Sequence, residues 1–135
     1  IHLNSLINFS IPTLHLVIAL PLMLIGAWIS IRAVKAISKE TGMEVVDTHC
    51  EPNKIVTSGS YSVVRHPQYF GADLTHIGGS VLLSASYALL FTPVYVLCNY
   101  LISWKEEKEL VREFGKKYKN YQKKVPMFIP RFREE

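Results

Sequence analysis

Two long stretches of this 135-residue chain carry no charged side chain: residues 1–31 and residues 74–104 contain no Asp, Glu, Lys or Arg. A water-soluble domain decorates every element with charge, so this segregation excludes an ordinary soluble fold. Each stretch exceeds the roughly 20 apolar residues that span a hydrocarbon core. Cysteine is scarce as well. Cys50 sits in a polar segment and Cys98 inside an apolar one, with no CxxC spacing, which argues against a disulfide and makes a poor metal site. The chain also lacks GxSxG, HExxH and a glycine-rich phosphate loop, which removes support for hydrolase and kinase chemistry.

Charge is present, but confined. The formal net charge is +4, and ten of the fifteen basic residues fall in 105–135 with the other five in 32–65. All flank the apolar runs, which is the positive-inside pattern of a membrane protein. No basic stripe alternates with exposed aromatics, so nucleic acid is not expected as a partner. The expectation is one all-α, multi-pass integral membrane domain covering 1–135, with its ionisable chemistry facing the cytoplasm.

Three spans are predicted, at about 11–36, 68–84 and 87–104. Pro21 falls inside the first, where a kink is expected rather than a break. Thr41-Gly42 closes its basic exit. Residues 40–66 form a polar loop too long for a mere connector. A single helix through 68–104 would separate the two basic clusters by a membrane, whereas a hairpin turning at Ser84-Ala85-Ser86 keeps them on one side. Gly78-Gly79 would let helices pack closely. Beyond Lys105, Leu110, Val111, Phe114, Tyr118 and Tyr121 recur at helical spacing, predicting an amphipathic helix over 105–121 with Gly115 as its weak point. Val125-Pro126-Met127-Phe128-Ile129-Pro130 reads as an apolar strap, folding back on the bundle or dipping into lipid.

Two clusters stand out. Arg65-His66-Pro67-Gln68-Tyr69 opens the second span, where Pro67 suits a first helical position and the free amides of that turn suit an anion. An interfacial anchor, with Arg65 snorkelling and Tyr69 in the aromatic belt, is the plainer reading. Glu106-Glu107, at the exit of the third span, are natural partners for an ammonium or for hydroxyls, or else a solvated helix start. Asp73 and His76 are ionisable groups within the second span, and His76 is as well suited to a helix-to-helix hydrogen bond as to catalysis.

Taken in order, Thr57-Ser58-Gly59-Ser60-Tyr61, Arg65-His66-Pro67-Gln68-Tyr69-Phe70-Gly71, Glu106-Glu107, Phe114-Gly115-Lys116-Lys117-Tyr118, Tyr121 and Val125-Pro126 resemble the C-terminal core of isoprenylcysteine carboxyl methyltransferases. The wider group includes phospholipid N-methyltransferases and, more distantly, membrane sterol reductases. The resemblance implies S-adenosylmethionine as cofactor and a prenylated cysteine or other lipophilic molecule as acceptor, reached from the bilayer. Carried over position by position, it implies cofactor contacts from Asn53, Lys54, Ile55, Val56, Tyr61, His66, Pro67, Gln68, Tyr69, Glu106 and Glu107. The family's substrate-contacting Arg near the end of the last span has no counterpart in Tyr100-Leu101-Ile102-Ser103-Trp104. That leaves Arg32, Arg65 and Lys105 as cations for an acceptor carboxylate. Arg32 is preferred for the two parallel bonds that a guanidinium offers. Arg32, Arg65 and Glu106 are the candidate catalytic residues.

Overall fold

The computed structural model describes residues 14–42 and 54–131. The start of the first span, Cys50 and Asn53 lie outside the described residues. Every described element is helical: α1 (Leu14–Thr41), a 3₁₀ turn (Gly59–Ser62), α2 (Pro67–Leu82), α3 (Ser86–Phe114) and α4 (Lys116–Lys124).

α1 is built from the first apolar run and continues through Pro21. It stops where expected. Gly42 takes φ 68°, and its amide returns to the Ser38 carbonyl at 3.0 Å, a left-handed C-terminal cap that glycine adopts at little cost. Small residues bring α1 against α2 almost backbone to backbone. A Cβ placed on Gly26 would lie 2.6 Å from both the Gly71 carbonyl oxygen and the Thr75 amide. One on Gly78 would lie 2.6 Å from the Met23 amide, while one on Gly79 would meet only the Met23 sulfur at 3.8 Å. Of the two glycines singled out for close packing, Gly78 is therefore the one in the seam. Gly71→Leu should separate these helices and cost about 1–3 kcal/mol, the usual range for overpacking. Thermal unfolding in detergent checks this, and a parent-like midpoint would contradict the close approach.

α2 and α3 form the expected antiparallel hairpin, turning through Leu83, Ser84 and Ala85, with Ser84 at φ 51°. Polar pairs zip it. Asn99 donates to the Asp73 carboxylate at 2.6 Å, His76 Nε2 lies 3.2 Å from the Thr92 hydroxyl, and the His76 ring stacks on Tyr95 at 4.4 Å. These polar groups thus satisfy one another across the helix pair.

One detail differs from expectation. α3 continues past Trp104 through the amphipathic stretch to Phe114, and the chain then breaks at its weak point, Gly115, with φ 56° and ψ −125°, before α4 begins. The predicted single helix over 105–121 is thus two, divided where glycine alone tolerates the turn cheaply. By length and composition, α1 from His15 and α3 could each cross a membrane. α2 has 16 residues, a rise of about 24 Å against a hydrocarbon core of about 30 Å.

The polar ends converge. Ala33 of α1 packs with Val56 and Tyr61 of the loop, flanked by Ala36 and Ile37, and Tyr121 of α4 donates to the Tyr61 carbonyl at 2.6 Å. Burial pushes the Tyr121 hydroxyl above its ordinary range, keeping it a donor. Lys54 and Lys123, both exposed, flank this junction. Single cysteines at the two positions should therefore react with an impermeant maleimide from the same face of a sealed vesicle. Labelling from opposite faces would rule the arrangement out.

Candidate active site

The site is where the start of α2, the polar end of α3 and the strap after α4 meet. Pro67 at the first position of α2 fixes the helix start, and His66 precedes it without making a side-chain cap to the helix amides. The strap closes over this start as expected: the Arg65 amide donates to the Pro126 carbonyl at 2.9 Å, and the His66 amide to that of Met127 at 3.2 Å.

Glu107 is the hub. Oε1 accepts from Arg65 Nε at 2.6 Å and lies 2.9 Å from His66 Nε2. Oε2 accepts from Arg65 Nη2 at 3.2 Å and from the Gln122 side-chain amide at 3.0 Å. Those four contacts fill the acceptor positions of a carboxylate. Burial pushes the Glu107 carboxyl up, but hydrogen bonds from His66 and Arg65, with the Arg65 charge, outweigh it and hold the pKa below the ordinary value. Arg65 spends its remaining nitrogen on the Gln122 and Val125 carbonyls, at 2.9 and 2.8 Å. One guanidinium so ties α2, α3, α4 and the strap together.

Glu106 differs from its neighbour in every respect. Its side chain is 46% exposed against 8% for Glu107. It accepts from the Tyr69 hydroxyl at 2.6 Å, and its other oxygen lies 3.9 Å from His66 Nδ1, beyond hydrogen-bond range. The His66 ring, 6% exposed, stands between Tyr69 at 6.0 Å and Phe128 of the strap at 5.7 Å. Phe128 in turn reaches Tyr100 of α3 at 6.2 Å.

The candidates divide accordingly. Arg65, His66, Pro67, Tyr69, Glu106 and Glu107 come together. Gln68 is adjacent, its carbonyl accepting from Ser30 at 3.1 Å. Val56 and Tyr61 are buried in the packing beneath, and Lys54 and Ile55 lie in the loop before them. Arg32 makes none of these contacts. It is exposed and its guanidinium lies 5.0 Å over the Trp28 ring. The reason is helical phase: Ser30 and Ala33 face α2 and the loop, and Arg32 falls between them in sequence but well off that face. Gln122 and Phe128 were not anticipated. No sequence signal marks them beyond their closeness to Tyr121 and Val125-Pro126.

Over residues 14–117 the sequence matches the phospholipid methyltransferase family. The chain belongs to that family. Among its relatives is the Schizosaccharomyces pombe protein-S-isoprenylcysteine O-methyltransferase, 32% identical over 136 residues that take in 94% of this chain and 54% of that one. The methanethiol S-methyltransferase of Crocosphaera subtropica is 38% identical over 80 residues, covering 58% of this chain and 30% of that one. The solved structure of a eukaryotic intramembrane Ras methyltransferase, an isoprenylcysteine carboxyl methyltransferase, superposes with a TM-score of 0.65 at 26% identity. It covers 84% of this chain and 41% of that one. This phospholipid methyltransferase family member thus spans about half, or less, of the length of the proteins it matches. The resemblance to isoprenylcysteine carboxyl methyltransferases, read from the motifs, is borne out at the level of the family and of the helical fold.

Proposed function

We propose that the chain transfers a methyl group from S-adenosylmethionine to a lipophilic acceptor at the bilayer surface, the acceptor being the carboxylate of a prenylated cysteine. The observation that carries this reading is the contrast between the two glutamates. Glu107 is consumed in holding the site, while Glu106 is half-exposed with an oxygen free for a ligand.

The residues fit the cofactor's chemistry. Glu106 can take an ammonium or a hydroxyl, and the uncapped start of α2 can take a carboxylate, because its first amides have no partner within the helix. Tyr69 fixes one oxygen of Glu106, and Phe128 and Tyr69 shield the His66 ring. S-adenosylmethionine, when bound, supplies an electrophilic methyl group. An acceptor carboxylate, with an ordinary pKa near 3.5, is already ionised at neutral pH and asks no side chain to remove a proton. The chain's work is then positioning and exclusion of water.

Supporting three spans is the convergence of loop, α4 and strap at one end, while Leu83, Leu90 and Phe91 near the hairpin tip stay exposed and apolar. We take that polar end to be cytoplasmic, where the basic residues cluster. A thiol acceptor is the second reading. One observation favours it: the Arg65 guanidinium beside the site is committed to Glu107 and to the Gln122 and Val125 carbonyls, so it is not available for a carboxylate. Calorimetry in detergent should show binding of S-adenosylmethionine and none of NADPH. A farnesylcysteine analogue should be methylated and its carboxamide should not. NADPH binding in place of S-adenosylmethionine would end the methyltransferase reading.

A further inference from the structure

The face of α1 turned away from the bundle carries a pattern that neither the packing nor the methyl-transfer site uses. Leu24, Trp28, Arg32, Lys35 and Lys39 recur at steps of three and four residues, and all five are exposed. At about 100° per residue they fall within an arc of roughly 80°. Gly26 and Ala33, which pack on α2 and on the loop, lie on the opposite side. The stripe is apolar up to Trp28 and purely cationic beyond it. Glu40 is the one acid among the described residues of α1, and it accepts from the Ser58 hydroxyl. Arg32, Lys35 and Lys39 make no ion pair among the described residues. The exit of α3 is built differently, since over 105–113 three bases are interleaved with four acids. Arg32 is held by Trp28, its guanidinium lying 5.0 Å over a ring that is 58% exposed. That contact makes no hydrogen bond and leaves the guanidinium donors without an acceptor among the described residues.

We propose that this stripe binds an anionic phospholipid, its phosphate held by Arg32 and Lys35 and an acyl chain laid along Trp28 and Leu24. Charge complementarity names the occupant. A zwitterionic headgroup would bring its own cation to the three already there. A second copy of the chain, related by a two-fold axis along the membrane normal, would set the same cations face to face. Depth agrees with charge. Arg32 lies about 6 Å and Lys35 about 10 Å beyond Trp28 along the axis, against a headgroup layer of about 5–8 Å outside the hydrocarbon. With the Trp28 ring at the hydrocarbon edge, where tryptophan is enriched, the guanidinium stands at phosphate depth and can hold it with two parallel bonds. The positive-inside rule orients a chain but asks for no particular face of a helix. Here the cations share one face, in line with an apolar track. The site is separate from Glu106 and Glu107 and needs no methyl donor, so it stands or falls apart from the methyl-transfer reading.

The chain holds two tryptophans, so Trp104→Phe leaves Trp28 as a fluorescent reporter of its own site. This reporter chain is inserted into vesicles of dioleoylphosphatidylcholine containing dioleoylphosphatidylglycerol, with one lipid or the other brominated on its acyl chains. Quenching of Trp28 then gives the relative affinity of the two lipids, with no methyl donor present. The anionic lipid should be preferred roughly 25-fold, about fivefold for each of the two cations on the phosphate. Arg32→Gln should leave about fivefold, and Arg32→Gln with Lys35→Gln should bring the ratio near one. Lys105→Gln with Lys108→Gln, an equal loss of charge on α3, should leave the preference unchanged. Excess glycerol 3-phosphate should not displace the lipid. Four results would each overturn the site: no preference in the reporter chain, a preference surviving Arg32→Gln with Lys35→Gln, an equal loss in the α3 pair, or displacement by glycerol 3-phosphate. Quenching by neither brominated lipid would take α1 out of the bilayer and overturn it as well.

Discussion

Glu107→Ala should be among the most damaging single substitutions in this chain, costing about 3–5 kcal/mol, the penalty for removing one member of a buried ion pair. The residue accepts from three side chains on two segments: Arg65 and His66 before α2, and Gln122 on α4. Its loss strands the Arg65 guanidinium, itself only 12% exposed, without its counter-charge. The strap should loosen with it, because Arg65 also holds the Gln122 and Val125 carbonyls. Thermal unfolding in detergent should show the loss, and trypsin should cut faster after Lys123 and Lys124. A parent-like midpoint would remove Glu107 from its place at the hub. The same contribution predicts a pH dependence. The folded pKa lies below the ordinary carboxylate value of 4.5, so the stabilisation is complete above that value. It is lost as pH falls through the lower, folded value. In Glu107→Gln this acid-side component should be absent.

Why Glu107 could be found in the sequence but not its role follows from how these contacts are made. Arg65 and Glu107 are 42 residues apart, and no periodicity links them. Their pairing depends on the α2–α3 hairpin bringing Tyr69 opposite Glu106 and Asp73 opposite Asn99. The hairpin itself was legible, because the apolar run is too long for one span and basic residues sit at both ends. The α1 cap was legible in Thr41-Gly42, and the strap in its two prolines. What pattern could not supply was rotational phase. Arg32 and Ser30 are two residues apart, but Ser30 meets α2 and Arg32 stacks on Trp28, because a helix turns through about 200° between them. Nor could two adjacent glutamates be ranked from sequence, since their environments differ only once the fold brings Arg65, His66 and Gln122 to one of them.

Glu106→Ala should leave the fold intact and weaken S-adenosylmethionine binding by about 1.5–3 kcal/mol, the range for a hydrogen bond to a charged group. In dissociation constant that is roughly a 10- to 150-fold loss, readable by calorimetry in detergent. The fold should survive because Glu106 makes one hydrogen bond, from Tyr69, and its side chain is nearly half exposed, whereas four contacts converge on its neighbour. Glu106→Gln then resolves what the residue holds. The amide keeps a neutral acceptor but loses the negative charge. If Glu106 accepts from a hydroxyl, Gln should retain most of the affinity. If it pairs with an ammonium, Gln should lose nearly as much as Ala. Tyr69→Phe frees the Glu106 carboxylate to rotate and should weaken binding by less than Glu106→Ala does, because it leaves the acceptor in place. Lys119→Ala, on the exposed face of α4, serves as the control and should change nothing. Parent-like affinity in Glu106→Ala would mean that the open carboxylate does not face the cofactor, and the site would have to be sought elsewhere along the α2–α3 seam.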